Sequence, residues 1–496
     1  MTQGSFLFAD FPIIAALILL PLLAGLMAFC ARGRHRLVRF TLLLGAVTHT
    51  LLTGMLFFAG KDQDPIYKVT SQWLAFDDVG GIFLALTSLL FLAVAIHTVF
   101  WLPPEEKVSS RHDPSGAPLM RDHTFSACLL AFLSMMTLVL ASRNFGLLWV
   151  AVEATTLASA PLICFHKGAH SLEAMWKYLL ICSVGIALAL FGTLLLTLAA
   201  QNLPSSSLGM DSLSFHMERL HPGWFKAAFI FILAGYGTKM GLAPFHTWLP
   251  DAHSEAPGTV SALLSGSLLN CSFVAIYRFL NLSPSALRPF CDGLMLVLGL
   301  ISLAVAAFFI IRQTDYKRML AYSSVEHMGI AAIFLGLGMG SEPLAILHLC
   351  GHSFIKVALF LVAGNILMAY GTRSISEVGG MLGTVPRNTV LWLIGLMLIG
   401  GMPPSPLFVT EFLLVSSAPL WLGVTVLVLL FAVFCGMVSG FLKMAMGKGG
   451  VLKTTDFSAR QAERLWFIPA LLLLTALLAG SYLLFSYELM NFWMKS

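Results

Sequence analysis

The sequence predicts an all-α polytopic membrane protein of about fourteen transmembrane helices, with two inverted five-helix repeats and breaks in helices seven and twelve. Three observations carry that expectation. Hydrophobic residues make up 58% and charged residues 11% of the 496, with mean hydropathy +0.87, whereas soluble domains run to about 25% charged. Apolar runs of about 18 residues or more, enough to cross a bilayer, fill most of the chain. Two of these runs are interrupted by Gly and Pro, and each carries a charge beside its interruption. No loop is long enough for a soluble domain.

In order, the spans fall at 11–30, 40–59, 79–102, 124–141, 145–165, 172–199, 225–249, 259–280, 290–311, 319–338, 344–368, 389–414, 420–446 and 465–484. The first follows MTQGSFLFADF, which lacks the basic flank of a signal peptide, so it reads as a retained span. The organisation expected is 1–122 (helices one to three), 123–285 (first repeat, helices four to eight), 286–446 (second repeat, helices nine to thirteen) and 447–496 (a loop and helix fourteen).

Lysine and arginine set the orientation. Eighteen lie at odd-numbered loops: Arg32, Arg34, Arg36, Arg39, Lys107, Arg111, Arg121, Lys167, Arg312, Lys317, Arg318, Arg373, Arg387, Lys443, Lys448, Lys453, Arg460 and Arg464. Eight lie at even loops or the C-terminus: Lys61, Lys68, Arg143, Arg219, Lys226, Arg278, Arg288 and Lys495. The positive-inside rule then puts odd loops in the cytoplasm and both termini outside. The net charge of +5 belongs to these loops and speaks to topology, not to nucleic acid. The eight cysteines form no C-x-x-C, so neither an iron–sulfur cluster nor a zinc site is expected in this chain.

Span seven ends in GTKMGLAPFHTWLPDAHSEAP, residues 237–257. Gly241 and Pro244 interrupt the helix and Pro250 closes the short piece that follows. Lys239 stands beside the break. A cation next to freed backbone groups is expensive in lipid, and such features mark ion paths; a lysine snorkelling from a helix end is the alternative. Span twelve contains LIGGMPPSPLFVTEF, residues 398–412, with Glu411 after the break. The two interrupted spans lie five apart, an odd offset, and so enter the membrane from opposite sides. That is the pattern of an inverted repeat with ion sites at the breaks.

Other ionisable groups fall inside spans. Glu153 lies roughly eight residues into span five, where a carboxylate must be paired or protonated. Lys239 is its expected partner, through an ion-conducting or a merely static salt bridge. His348, His352 and Lys356 follow one another at i, i+4 and i+8 in span eleven, on one helical face about 12 Å long. Such a row suits proton relay; satisfied core histidines are the alternative. A zinc-protease helix is excluded because Leu349 stands where H-E-x-x-H needs glutamate. Lys177, near the start of span six, is either part of the ion path or a snorkelling surface lysine. Glu326 and His327 read as a polar cluster close to the loop before span ten. Asp251, His253 and Glu255 either feed protons inward or cap span eight, with the cap at least part of their role.

GTKMGLAPFHTWLPDAHSEAPGTVSALL, QTDYKRMLAYSSVEHMG and HLCGHSFIKVALFLVAGN resemble signature segments of the antiporter-like proton-pumping subunits. These are found in respiratory complex I, Mrp antiporters and group 4 membrane-bound hydrogenases. The resemblance covers roughly spans four to thirteen. Within the family, VEATTL, SSVE and LLN are most similar to the hydrogenase-4 F-type subunit. It implies fourteen spans, two inverted repeats each giving a half-channel, and a central row of ionisable residues. Residue by residue, it assigns Glu153 and Lys239 as the carboxylate–lysine pair, His348, His352 and Lys356 as the link between halves, and Glu411 as the terminal group. Asn270 departs from the pattern: many relatives place a lysine or histidine there, and an amide cannot relay a proton.

The function expected on that basis is proton translocation, or sodium exchange, within an oxidoreductase complex of the bacterial or archaeal cytoplasmic (inner) membrane. Other membrane subunits and a cytoplasmic peripheral redox arm would be its partners, and lipid its surround. The [NiFe] centre and iron–sulfur clusters would sit in those partners, with no cofactor in this chain. Moving one proton against 100 mV needs about 2.3 kcal/mol, which a chain with no redox or nucleotide site cannot supply alone. A stand-alone cation/proton antiporter, an inorganic-carbon uptake subunit and a non-pumping membrane anchor are the alternatives.

Overall fold

Apolar runs become helices because a backbone in lipid has to satisfy its own N–H and C=O groups. The computed structural model describes residues 11–58, 73–102, 120–166, 168–203, 208–338, 340–447 and 456–485. Of the charges used for orientation, Lys61, Lys68, Lys107, Arg111, Lys167, Lys448, Lys453 and Lys495 lie outside these residues. Among the described residues, thirteen helices are long and apolar enough to cross a membrane. The predicted twelfth span is instead two shorter apolar helices, Pro386–Ile399 and Pro406–Ser417. Among the described residues extended pairing is limited to isolated bridges such as Asp315 with Ser374.

Span boundaries move where polar residues extend a helix. Span two begins at His35 and carries Arg36 and Arg39 within it. Span ten begins at Tyr316, capped by the Asp315 carboxylate, which accepts from the N–H groups of Lys317 and Arg318. Span fourteen, Phe467–Phe485, is preceded by a polar helix, Asp456–Arg464, that a search for apolar runs passes over.

The chain forms two compact units, one of Met1–Trp248 with Ser267–Leu294 and one of Leu249–Gly266 with Met295–Ser496. In the first, span six (Ala169–Ala199) lies backbone to backbone against Pro222–Met240. A Cβ on Gly235 would come within 2.6 Å of the Gly185 carbonyl, and one on Gly192 within 2.9 Å of the Ala228 carbonyl. Small residues permit that approach where lipid offers no hydrophobic drive between helices. The second unit uses the same device: a Cβ on Gly258 would meet the Phe360 carbonyl at 2.7 Å.

Both predicted breaks are present and share one backbone pattern. The helix Pro222–Met240 ends on Gly241, left-handed at φ +82°, with the Leu242 N–H returning to the Gly237 carbonyl at 2.9 Å. Pro386–Ile399 ends similarly: Gly401 has φ +64° and the Met402 N–H returns to the Met397 carbonyl at 3.0 Å. This is the Schellman closure, which needs glycine at the left-handed position. A cis proline bond follows in each, Ala243–Pro244 and Pro403–Pro404. Carbonyls freed by the breaks find side chains. Trp248 Nε1 donates to the Thr238 carbonyl at 2.8 Å, and Ser405 Oγ to the Leu398 carbonyl at 2.7 Å. Each carbonyl otherwise has only a longer bond from a backbone N–H, Gly241 at 3.2 Å or Gly401 at 3.4 Å, and the side-chain bond adds about 1 kcal/mol.

Candidate functional site: two buried polar clusters at helix breaks

In the first unit, Lys239 occupies the last turn of its helix, fully buried, where the carbonyl end of the helix dipole favours a cation. Its ammonium donates to Tyr178 OH at 2.5 Å and Thr156 Oγ1 at 3.0 Å, and lies 4.5 Å from the Tyr178 ring centroid. Glu153 is not in direct contact with it. The Glu153 carboxylate accepts from Ser183 Oγ at 2.9 Å and from Thr156 Oγ1 at 3.4 Å. The expected salt bridge is therefore replaced by a hydroxyl bridge, with Thr156 between carboxylate and ammonium. Glu153, Thr156 and Ser159 sit three residues apart on Phe145–Ile163, so they share one helical face. Tyr178 OH also pairs with Ser159 Oγ at 2.6 Å, which continues the chain along that face. Rotatable hydroxyls both donate and accept, so this row can pass a proton by reorientation.

Sequence reasoning named Glu153 and Lys239 and missed Thr156, Tyr178, Ser159 and Ser183. Lys177 is not in the cluster. It pairs with Glu173 at 2.8 Å, with about half of each side chain exposed, which is an ordinary i, i+4 surface pair. Asn270 is buried in the helix Leu269–Leu280, directly after a π-helical stretch at Leu264–Leu268. Such wide turns occur mostly at functional sites.

In the second unit, His348, His352 and Lys356 are fully buried on the helix Glu342–Tyr370. They do not act as a row on their own. His348 Nε2 meets His327 Nδ1 at 3.1 Å, and His348 Nδ1 meets Thr410 Oγ1 at 2.8 Å. The His352 ring packs 5.1 Å from that of His327, and neither of its nitrogens has a hydrogen-bond partner among the described residues. Lys356 turns its ammonium to the Leu320 carbonyl at 2.6 Å. Glu411 Oε1 lies 3.9 Å from His327 Nδ1. Its carboxylate occupies the space a side chain at Gly401 would fill, since a Cβ there would lie 2.2 Å from Oε2. Glu326 is within electrostatic reach of both Lys356 and Glu411. Glu326 and His327 are thus buried centrally in the helix Tyr316–Gly336, not close to a loop as expected. The cause is the polar run Tyr322–His327, which blurs the start of the span.

The expectation that Asp251, His253 and Glu255 cap span eight is also corrected. That helix begins after Pro257 with no side-chain cap. Asp251 pairs with Arg318 at 2.6 Å and Glu255 with Arg373 at 2.5 Å. His253 is fully buried and stacks on Phe360, centroids 4.7 Å apart. Lys317, counted from the sequence among loop charges, is fully buried and donates to the carbonyls of Ser254 and Ala256. Together with Arg373, which donates to the Ser254 carbonyl at 2.9 Å, it closes the carbonyl end of the helix Trp248–Glu255, as cations do. Groups positioned to hold a metal are His327, His348 and Glu411, whose ligand atoms all lie within 4.8 Å of one another.

Residues 142–438, which carry both clusters, match the family described as NADH:quinone oxidoreductase/Mrp antiporter, TM. The chain is 36% identical over 374 residues to a hydrogenase-4 component F homolog of Methylacidiphilum infernorum, covering 74% of this chain and 75% of the relative. It is 28% identical over 437 residues to F(420)H(2) dehydrogenase subunit M of Methanosarcina mazei, covering 85% of each. Its fold is similar to a chain of an archaeal respiratory membrane complex, the membrane-bound sulfane sulfur reductase. That likeness has a TM-score of 0.78 at 20% identity and covers 97% of this chain and 96% of the other. The match to more than half its length and the similarity to the hydrogenase-4 relative show that this chain belongs to the NADH:quinone oxidoreductase/Mrp antiporter transmembrane family.

Proposed function

We propose that this chain is the proton-translocating, antiporter-like subunit of a membrane-bound redox complex, of the hydrogenase-4 or complex I-like kind. One observation carries the reading: a buried lysine at a broken helix joined through Thr156 to a carboxylate, with hydroxyls continuing on either side. A static tie between helices needs neither a break nor rotatable hydroxyls. In this scheme Lys239 exchanges its proton when the charge on Glu153 changes. The second cluster, from His348 and His352 to Lys356 and Glu411, answers with a charge shift of its own. The matching backbone of the two breaks supports an inverted repeat, with spans four to eight set against nine to thirteen.

The relatives' names, a component and a subunit of larger enzymes of a bacterium and an archaeon, support a place beside other membrane subunits, and the proposed setting is the cytoplasmic (inner) membrane of such a cell. The basic loops support odd loops in the cytoplasm and a peripheral redox arm on that side. Electron transfer, through a [NiFe] centre and iron–sulfur clusters, belongs to those partners. The family's Mrp branch favours one other reading, a cation/proton antiporter working without a redox arm.

The test is proton pumping by the assembled complex in sealed vesicles. Lys239→Ala and Glu153→Gln should each abolish pumping while electron transfer by the partners continues. Full pumping in either variant overturns the proposal. Cation-driven proton movement in vesicles that hold no redox subunit would favour the antiporter.

A further inference from the structure

Three ligand-type atoms converge in the second cluster on a geometry that proton relay does not require. His348 Nε2 and His327 Nδ1 are 3.1 Å apart, and Glu411 Oε1 is 3.9 Å from His327 Nδ1. In a tetrahedral zinc site with bonds of 2.0–2.1 Å, neighbouring ligand atoms are about 3.3 Å apart. The three atoms lie within 4.8 Å of one another, so side-chain movements of up to about 1.5 Å bring the set to that spacing.

The surroundings prepare His348 and Glu411 for coordination. Thr410 Oγ1 donates its one hydrogen to the Leu407 or Pro406 carbonyl, at 3.0 and 3.4 Å. It therefore accepts from His348 Nδ1–H, which leaves the Nε2 lone pair directed into the cluster. An outer hydrogen bond of this kind fixes the tautomer of a metal-binding imidazole. His327 coordinates through Nδ1 once its proton sits on Nε2. Glu411 Oε1 is buried and accepts no hydrogen bond among the described residues, an expensive state for a carboxylate that a cation relieves. The Glu411 side chain keeps 12% exposure, whereas His327 has none, so an ion would arrive past Glu411.

We propose that His327, His348 and Glu411 form a binding site for a divalent transition-metal ion of the zinc type, and that the bound ion blocks proton movement through the second cluster. Two imidazoles and one carboxylate form a mixed nitrogen–oxygen set suited to zinc and copper, not to magnesium or calcium. The binding half stands on geometry alone. The blocking half rests on the proposed function, because an ion on His348 and Glu411 removes two members of its relay.

The experiment uses the purified complex containing the full chain, with Zn²⁺ as the probe. Binding is followed by equilibrium dialysis and ligand identity by zinc K-edge X-ray absorption. One equivalent should bind with two imidazoles and an oxygen donor in its shell. Glu411→Gln and His348→Ala should each weaken binding by about tenfold or more, as should Thr410→Val through the lost outer hydrogen bond. His352→Gln should leave binding unchanged, since His352 offers no atom to the set. Glu411→Gln keeps the side chain's shape, so the test survives if His348→Ala fails to fold. A shell without imidazole, or unchanged binding in Glu411→Gln, overturns the site. Zinc that binds as described without slowing pumping in vesicles overturns the blocking half. None of the binding measurements depends on pumping, so failure of the metal site and failure of the proposed function remain distinct.

Discussion

The break at Gly241 and the break at Gly401 share a backbone, from the left-handed glycine to the cis proline three residues on. Their charges sit on opposite sides of it. Lys239 precedes its break and lies in the last helical turn, where the dipole favours it. Glu411 follows its break by ten residues, beyond the first turn of Pro406–Ser417, and gets no such help. Lys239 has two hydroxyl acceptors and an aromatic face, whereas Glu411 has a buried oxygen with no hydrogen bond among the described residues. The common backbone thus makes the opening, and side chains decide what it does. In the first unit the charge is held by a closed hydroxyl network. In the second it is left available beside two imidazoles.

Alanine at each glycine separates backbone from charge, and the largest expected effect is at Gly401. At either position a side chain in the left-handed region costs about 1–2 kcal/mol. At Gly401 the new Cβ also displaces Glu411 Oε2, from a contact of 2.2 Å. Gly401→Ala should therefore reduce pumping strongly, whereas Gly241→Ala should lower the unfolding temperature with a smaller loss of pumping per assembled complex. Equal pumping losses at equal stability would show that Gly401 matters only as backbone.

The donors that close the freed carbonyls come next. Trp248→Phe and Ser405→Ala each remove the shorter of two hydrogen bonds to a buried carbonyl, leaving it the Gly241 N–H at 3.2 Å or the Gly401 N–H at 3.4 Å, at a cost of about 1 kcal/mol. Trp248→Phe should be the worse of the two, because it also leaves a void beside Lys239, which lies 5.9 Å from the Trp248 ring. Thermal unfolding in detergent orders the pair, and the reverse order would count against this account of the breaks.

Which of these features the sequence reveals depends on how local their cause is. The breaks are local: Gly-x-x-Pro fixes them, and both were readable at 241–244 and 401–404. Lys239, Glu411 and the histidine face were readable as well, because charge within an apolar run is rare. Thr156, Tyr178 and Ser183 were not, since single hydroxyls are common in apolar helices and theirs become a network only when three helices meet. Lys317 misled because a lysine near a basic loop looks solvated, and nothing local shows that two carbonyls sixty residues away receive it. Glu326 and His327 misled for the opposite reason: their own helix is polar enough to pass for a loop edge.

The smallest expected effect lies away from both breaks, at the start of span three. Asp77 accepts from Arg278 Nε at 3.0 Å and NH2 at 2.8 Å, from Arg143 at 3.4 Å and from the Gly80 N–H at 2.8 Å. Burial works to raise its pKa, but the Arg278 charge and hydrogen bonds, with Arg143 and Gly80, overcome that and hold it at about 2. A carboxyl whose pKa is lower folded than unfolded stabilises the fold above the unfolded value. That contribution is lost as pH falls from about 4 toward 2. With Asp77 a quarter exposed, the effect should be about 1–2 kcal/mol after allowance for screening. Asp77→Asn should unfold earlier than the natural protein at pH 7 and approach it as pH falls from about 4 toward 2, with pumping per assembled complex unchanged at neutral pH. A gap that stays constant with pH would mean that the Asp77 charge is not what holds this end of the first unit. Lost pumping would mean that the breaks depend on an anchor they do not touch.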